Sequence, residues 1–221
     1  MLEFFTLVFV SVFLAVNAFG AMPVFIAMLQ KYKKRDRASA IRKSFIIAFI
    51  VFVLFSFFGH YIFELMGIEL YSFYIAGGIL LSIIALSMLS GKQQETKISE
   101  KEVKILEHAH KEELENLAIT PIAVPMLTGP GAITLGLMQF SSIQFNGISS
   151  ATLLGEFLAG AFLAYLISFI VISRSKYIEK IIGRIGLKVM SRIMGLLLLS
   201  IGVQFVVNGI MRILELGFPL P

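Results

Sequence analysis

A chain of 221 residues that is 57% hydrophobic and only 15% charged, with a mean hydropathy of +0.89, is too apolar for a soluble domain, in which charged residues usually make up about a quarter. Its apolar runs are about twenty residues long, the length of a membrane helix and twice that of an alternating barrel strand, so the fold is an all-α membrane protein. The absence of cysteine excludes disulfides, thiolate catalysis and thiolate metal sites, and the net charge of +5 reads as the orienting charge of cytoplasmic loops, with no nucleic-acid partner.

Six spans are expected in chain order. The first, Phe4 to Leu29, has no basic n-region and no small-residue cleavage site, and Glu3 is its only early charge, so it reads as a retained span and not a signal peptide. Ser44 to Phe63, Tyr71 to Leu89, Thr120 to Phe140, Ala151 to Ser173 and Met190 to Ile213 follow. Between the third and fourth lies a polar segment, Gly91 to Asn116, with seven glutamates and five lysines. There Ser99 and Glu102 have the spacing of a capping box, and Val103, Leu106, His110 and Leu114 recur at helical spacing, which predicts a cytoplasmic surface helix. The expected organisation is a first block of three spans over 1–90, a linker over 91–117 and a second block of three over 118–221.

Loop charges set the orientation. The loop after span one carries Lys31, Lys33, Lys34, Arg35, Arg37, Arg42 and Lys43, whereas the loop after span two carries only Glu64 and Glu69. The third loop has five lysines, the fourth has no charge, and the fifth has Arg174, Lys176, Lys180, Arg184, Lys188 and Arg192. Every lysine and arginine except Arg212 thus falls in an odd loop. The positive-inside rule places loops one, three and five in the cytoplasm and both termini outside a cell (plasma or inner) membrane. Span one then runs inward and span four outward, so the two blocks are expected to be inverted repeats. Gly78-Ile-Leu-Leu-Ser82 and Gly195-Leu-Leu-Leu-Leu-Ser200 add a weak internal similarity.

The leading span of each block is interrupted. In the fourth, Thr120-Pro-Ile-Ala-Val-Pro-Met-Leu-Thr-Gly-Pro-Gly-Ala-Ile-Thr134 holds three prolines and two glycines, and a continuous helix does not run through it. A first half-helix is expected from Pro121, behind a Thr120 cap, to about Leu127, and a second from near Ala132. In the first span, Asn17-Ala-Phe-Gly20-Ala-Met-Pro23 is the counterpart, with Pro23 expected to start a second half-helix ending near Gln30. In hydrocarbon such breaks persist only where protein buries them or where they line a hydrated cavity. Both second halves begin at mid-depth, so their free N–H groups and positive dipole ends favour an anionic group at the centre of the bundle. The carbonyls of the first halves offer a place for an ammonium or a coupling cation nearby. A small zwitterion suits that chemistry, and broken helices leading two inverted repeats point to a secondary transporter.

The candidate substrate-binding residues are therefore Asn17, Gly20 and Pro23 in one break and Thr128, Gly129, Pro130, Gly131 and Ala132 in the other, with the neutral Thr134 and Gln139 nearby. Close helix packing by the glycines and simple interhelical bonding by Asn17 is the plainer reading of either break alone. Ionisable groups inside spans are expensive, which singles out His60 and Glu156 as a candidate proton-coupling or gating pair, against a role as interfacial polar residues. Gln204, Asn208, Ser82 and Ser87 are expected to form interhelical hydrogen bonds. An enzyme is not expected. The only aspartate is Asp36, the histidines at 60, 108 and 110 form no His-Glu-x-x-His motif, and no phosphate-binding loop is present. No cofactor or metal is expected; any coupling ion is a proton or sodium, and a sodium site would have to use carbonyls, hydroxyls or the carboxylate of the substrate.

Asn17-x-x-Gly20-x-x-Pro23-x-Phe25 together with Ile122-Ala-Val-Pro125-Met-Leu-Thr-Gly-Pro-Gly-Ala-Ile133 resembles the paired signature of the MarC family, which includes the SnatA-type neutral amino-acid transporters. The resemblance covers nearly the whole chain. It implies a transporter for small neutral amino acids such as glycine or alanine, with the two interrupted helices forming the substrate site. The family commonly has proline directly after the asparagine, where this chain has Ala18; a gentler bend in span one is the expected consequence. A passive channel or a structural membrane subunit is the alternative from another class.

Overall fold

A computed structural model describes residues 2–29, 33–65, 67–90, 127–145 and 150–215. Among these are seven helices: α1 (Leu2–Val16), α2 (Ala18–Leu29), α3 (Lys34–Leu65), α4 (Leu70–Leu89), α5 (Pro130–Phe145), α6 (Ser150–Ser173) and α7 (Ser175–Glu215). Five segments are long and apolar enough to cross a membrane: Glu3–Met22, Lys34–Gly59, Tyr71–Leu89, Ala151–Ser173 and Ile185–Glu215. Gly131–Ile143 is a shorter apolar helix, and it is the described part of the fourth expected span, whose residues 120–126 lie outside the described set. The polar segment 91–116, with its expected surface helix, also lies outside it.

Outward-facing positions are as apolar as the core. Ile46, Ile50 and Leu54 on α3, Ile79, Ile83 and Leu86 on α4, and Phe162, Leu166 and Ile170 on α6 are all exposed at helical spacing. A soluble monomer rarely shows such continuous apolar faces, whereas a lipid-facing bundle requires them. At 32 residues α3 is roughly 48 Å long. It therefore outreaches a hydrocarbon core of about 30 Å, and its basic first turns fall at one membrane surface.

Small residues set the helix pairs. α4 and α7 form the most extensive pair and run antiparallel. On α7 Gly195, Gly202 and Gly209 recur every seven residues, facing Ala85, Gly78 and Tyr71, which recur every seven on α4. A Cβ at Gly202 would lie 2.9 Å from the Gly78 carbonyl oxygen, and one at Gly209 would lie 2.9 Å from that of Tyr71, so the two backbones are in contact. α1 packs on α6 where Gly160 meets the backbone of Phe5 and Phe9, and α3 packs on α5 where Gly136 meets Phe52 and Ser56. Between α3, α5 and α6 sits an aromatic core, with Phe52 stacked on Phe157 at 6.0 Å and Phe57 against Phe140 at 4.4 Å. In contrast to the expectation from sequence, Ser82 and Ser87 bond back to the carbonyls of Gly78 and Ile83 within α4, and Gln204 donates to Asn208 within α7. A hydroxyl in a helix finds the carbonyl one turn back before it finds a neighbouring helix.

α7 is kinked at Gly183, whose φ of 70° breaks its run of helical dihedrals. The piece before the kink carries Lys176 and Lys180 beside exposed Tyr177 and Ile181, and the span follows it.

Candidate functional site

The first interruption is a single residue. Asn17 has a φ of 48°, a left-handed conformation that asparagine tolerates better than other side-chain-bearing residues. Its N–H still donates to Phe13 and its carbonyl accepts from Ala21, so helical bonding continues on both sides of a sharp kink. The side chain folds over the new helix: Oδ1 accepts from the Gly20 N–H at 3.1 Å, making Asn17 the N-cap of α2. This corrects the expectation for Pro23. α2 begins at Ala18, and Pro23 is its sixth residue, where the missing N–H deprives the Phe19 carbonyl of its i+4 donor. Capping by Asn17 outweighs that single lost bond. Gly20 has a local role as well. A Cβ there would collide with the Asn17 side-chain amide, so the glycine makes room for the cap.

The second interruption lies at Thr128 and Gly129. α5 begins at Pro130, two residues before the expected Ala132, with Gly129 as N-cap: its carbonyl accepts from the Ile133 N–H at 3.1 Å. Proline at the first helical position fits because its absent N–H would have had no intrahelical partner. Thr128 is buried and fully engaged. Its Oγ1 donates to the Ala48 carbonyl on α3 at 2.7 Å and lies 2.8 Å from the Tyr165 hydroxyl on α6, which is also 3.3 Å from the Leu127 carbonyl. With the threonine proton committed to Ala48, Tyr165 is the donor to Oγ1. Thr128 thus fastens the break to two helices.

Both breaks lie against one face of α4. Asn17 Nδ2 is 3.6 Å from the sulfur of Met88. A Cβ at Gly131 would lie 3.0 Å from Leu81 and 3.2 Å from Ile84. Leu81, Ile84 and Met88 span two turns, about 10 Å of helix rise. Two helices therefore start at neighbouring depths and run in opposite directions, α2 away from the start of α1 and α5 back toward it. Helix geometry leaves the N–H groups of Ala18 and Phe19 without an acceptor inside α2, and those of Gly131 and Ala132 without one inside α5. The positive ends of the two dipoles meet there.

Thr134 packs against Gly77 of α4. Gln139 is buried on α5 beside Ser11 of α1, away from the helix starts. Glu156 is half-buried, and its Oε2 has no hydrogen-bond partner among the described residues. His60 lies on α3, and its side chain is outside the described set. Sequence reasoning missed Tyr165; a tyrosine in the middle of an apolar span, far from either interface, was the available signal. It also missed Ser11. Among the described residues no group of three or more His, Asp or Glu side chains is placed to hold a metal.

Residues 2–214 match the family model described as MarC family integral membrane protein. The chain is 38% identical over 209 residues to a UPF0056 membrane protein of Methanocaldococcus jannaschii, covering 95% of this chain and 97% of that protein. It is 34% identical over 220 residues to one of Aquifex aeolicus, with 97% of each covered, and 28% identical over 210 residues to YvbG of Bacillus subtilis, with 95% of each covered. No solved structure matches it.

Proposed function

Starting from a chain that belongs to the MarC family of integral membrane proteins, we propose a secondary carrier that moves a small neutral amino acid, of the glycine or alanine type, by alternating access. The observation that carries this reading is the pair of helix starts at Ala18 and Pro130, held against one face of α4. The N–H groups of Ala18, Phe19, Gly131 and Ala132, which have no acceptor inside their own helices, suit the substrate carboxylate. The carbonyls of Leu14, Ala15 and Val16, unpaired inside α1, suit its ammonium. The side chains at the two helix starts are neutral, which favours a zwitterion over a charged solute.

Six spans in two inverted halves, 1–90 and 118–221, would place these starts at the interface between repeats. The helix pairing supports such an arrangement. Exchanging the halves maps the contact of α1 with α6 onto that of α5 with α3, and maps α4 with α7 onto itself. Alternating access is then a rocking of the halves about the fixed site, in a cell membrane with both termini outside. His60 and Glu156 remain the proposed gating or proton-coupling pair, with a proton or sodium as coupling ion.

Counterflow tests the reading. Proteoliposomes loaded with unlabelled glycine are given trace labelled glycine outside, wild type beside Gly131→Leu. Transient accumulation that the variant loses is the expected result. Absence of accumulation with glycine, alanine or serine removes the amino-acid assignment, and absence with a broad solute panel turns the reading to a passive channel or structural subunit.

A further inference from the structure

The last helix carries a repeat that lies apart from both breaks. Between Lys176 and Ile193 the pairs Lys-Tyr, Lys-Ile, Arg-Ile, Lys-Val and Arg-Ile recur every four residues, a basic residue followed each time by an apolar one. Residues four apart on a helix lie nearly above one another, and adjacent residues are about 100° apart. Two rows therefore run side by side, one cationic and one apolar, and Gly183 bends both. The lysines of the first row and Arg192 are exposed, and so is every member of the apolar row, Ile185 at 81%.

Their place in the bundle is a membrane surface. α6 ends at Ser173 and the apolar span of α7 starts at Ile185, so the stretch from Ser175 to the kink joins two membrane-crossing segments. Phe169 meets Phe45 at 5.6 Å, which brings the end of α6 beside the first turns of α3, where Arg42 is exposed. Positive charge accumulates there: residues 174–192 hold six basic side chains and only Glu179 against them. Like charges four apart on a helix repel, and an anion between them relieves the repulsion. Water can solvate the lysines, but it leaves the adjoining apolar row uncovered. A helix with one basic and one apolar row matches the headgroup layer of a bilayer, where phosphates meet the first and acyl chains the second.

We infer that residues 174–192 form a docking surface for anionic phospholipid. The phosphates sit along the row of lysines and arginines, and the upper acyl chains cover Tyr177, Ile181 and Ile185. A free phosphate satisfies only the cationic row, and a zwitterionic lipid returns a cation to the neighbourhood of the lysines. The inference is independent of what the broken helices bind.

The chain has no tryptophan, so Tyr177→Trp supplies a single fluorophore on the surface itself. The full-length variant is placed in bilayers that contain dibrominated phosphatidylglycerol or, at equal mole fraction, dibrominated phosphatidylcholine as quencher. Phosphatidylglycerol is expected to quench several-fold more effectively, with the preference falling in high salt. Adding Lys176→Gln and Lys180→Gln, both at exposed positions, should bring the two lipids close to parity. A reporter at Ile210→Trp, exposed toward the other end of α7, should show no preference. Equal quenching by the two lipids in Tyr177→Trp, or a preference undiminished by loss of both lysines, overturns the inference. Absence of quenching by either lipid also overturns it, since a second copy or another part of the chain then covers the face. A preference abolished by inorganic phosphate at constant ionic strength overturns it as well, because the site then reads the free anion and not the lipid.

Discussion

The two helix starts have the same geometry and different chemistry. At Asn17 a side chain caps the helix, so the N–H of Gly20, the third residue of α2, is already satisfied. At Gly129 the capping position has no side chain, so the equivalent N–H, that of Ala132, has no such cap. The first start is thereby a self-contained kink, whereas the second is fixed from outside, through Thr128 to Ala48 and Tyr165. One start is held by its own side chain and the other by bonds to two neighbouring helices.

Substitutions of decreasing severity test that contrast. Gly131→Leu should reduce counterflow to background while membrane insertion persists, because the side chain must enter the space of Leu81 and Ile84; undiminished transport would remove the site from α5. Asn17→Leu combines a lost cap with a left-handed leucine, so it should destabilise the purified protein by about 2–3 kcal/mol in a denaturation experiment. Asn17→Gly keeps the backbone and loses only the cap, costing a few tenths of a kcal/mol. Equal losses would mean that the kink is imposed by its surroundings. Thr128→Val removes the second donor to the Ala48 carbonyl, which keeps its helical partner, and takes the acceptor from the Tyr165 hydroxyl, so it should cost about 1–2 kcal/mol, and Tyr165→Phe about 1 kcal/mol. The mildest is Gly20→Ala. Alanine gains up to about 1 kcal/mol of helix propensity but pushes the Asn17 amide off its bond, a loss of similar size, so the net change should be near zero.

The apolar spans were plain in the sequence because hydrocarbon demands a long uninterrupted run, and five of them stand among the described helices. The positions of the breaks were legible too, since Asn17 and Gly129-Pro130 carry backbone preferences that no neighbour overrides. Helix starts were harder to place. Pro23 has the form of a first helical residue, but a cap six residues earlier had already opened the helix. At the other break, Pro130 opens the helix itself. Local preference ranks such starts only when no stronger cap lies upstream. Tertiary partners left fainter traces. Nothing within a few residues of Thr128 announces Tyr165, 37 positions away, and Gly20 serves a neighbour where its pattern suggested room for a ligand. The seven-residue spacing of Gly195, Gly202 and Gly209 was in plain view, yet its meaning depends on Gly78 and Ala85 standing opposite.

That spacing also governs motion. With backbone against backbone at three successive levels, α4 and α7 have no clearance to slide. Moving one past the other by a turn would set Val206 or Leu198 where a glycine had been, driving a branched side chain into a carbonyl. The contact is closed to such sliding, and α4 carries beside it the face to which both broken helices are applied.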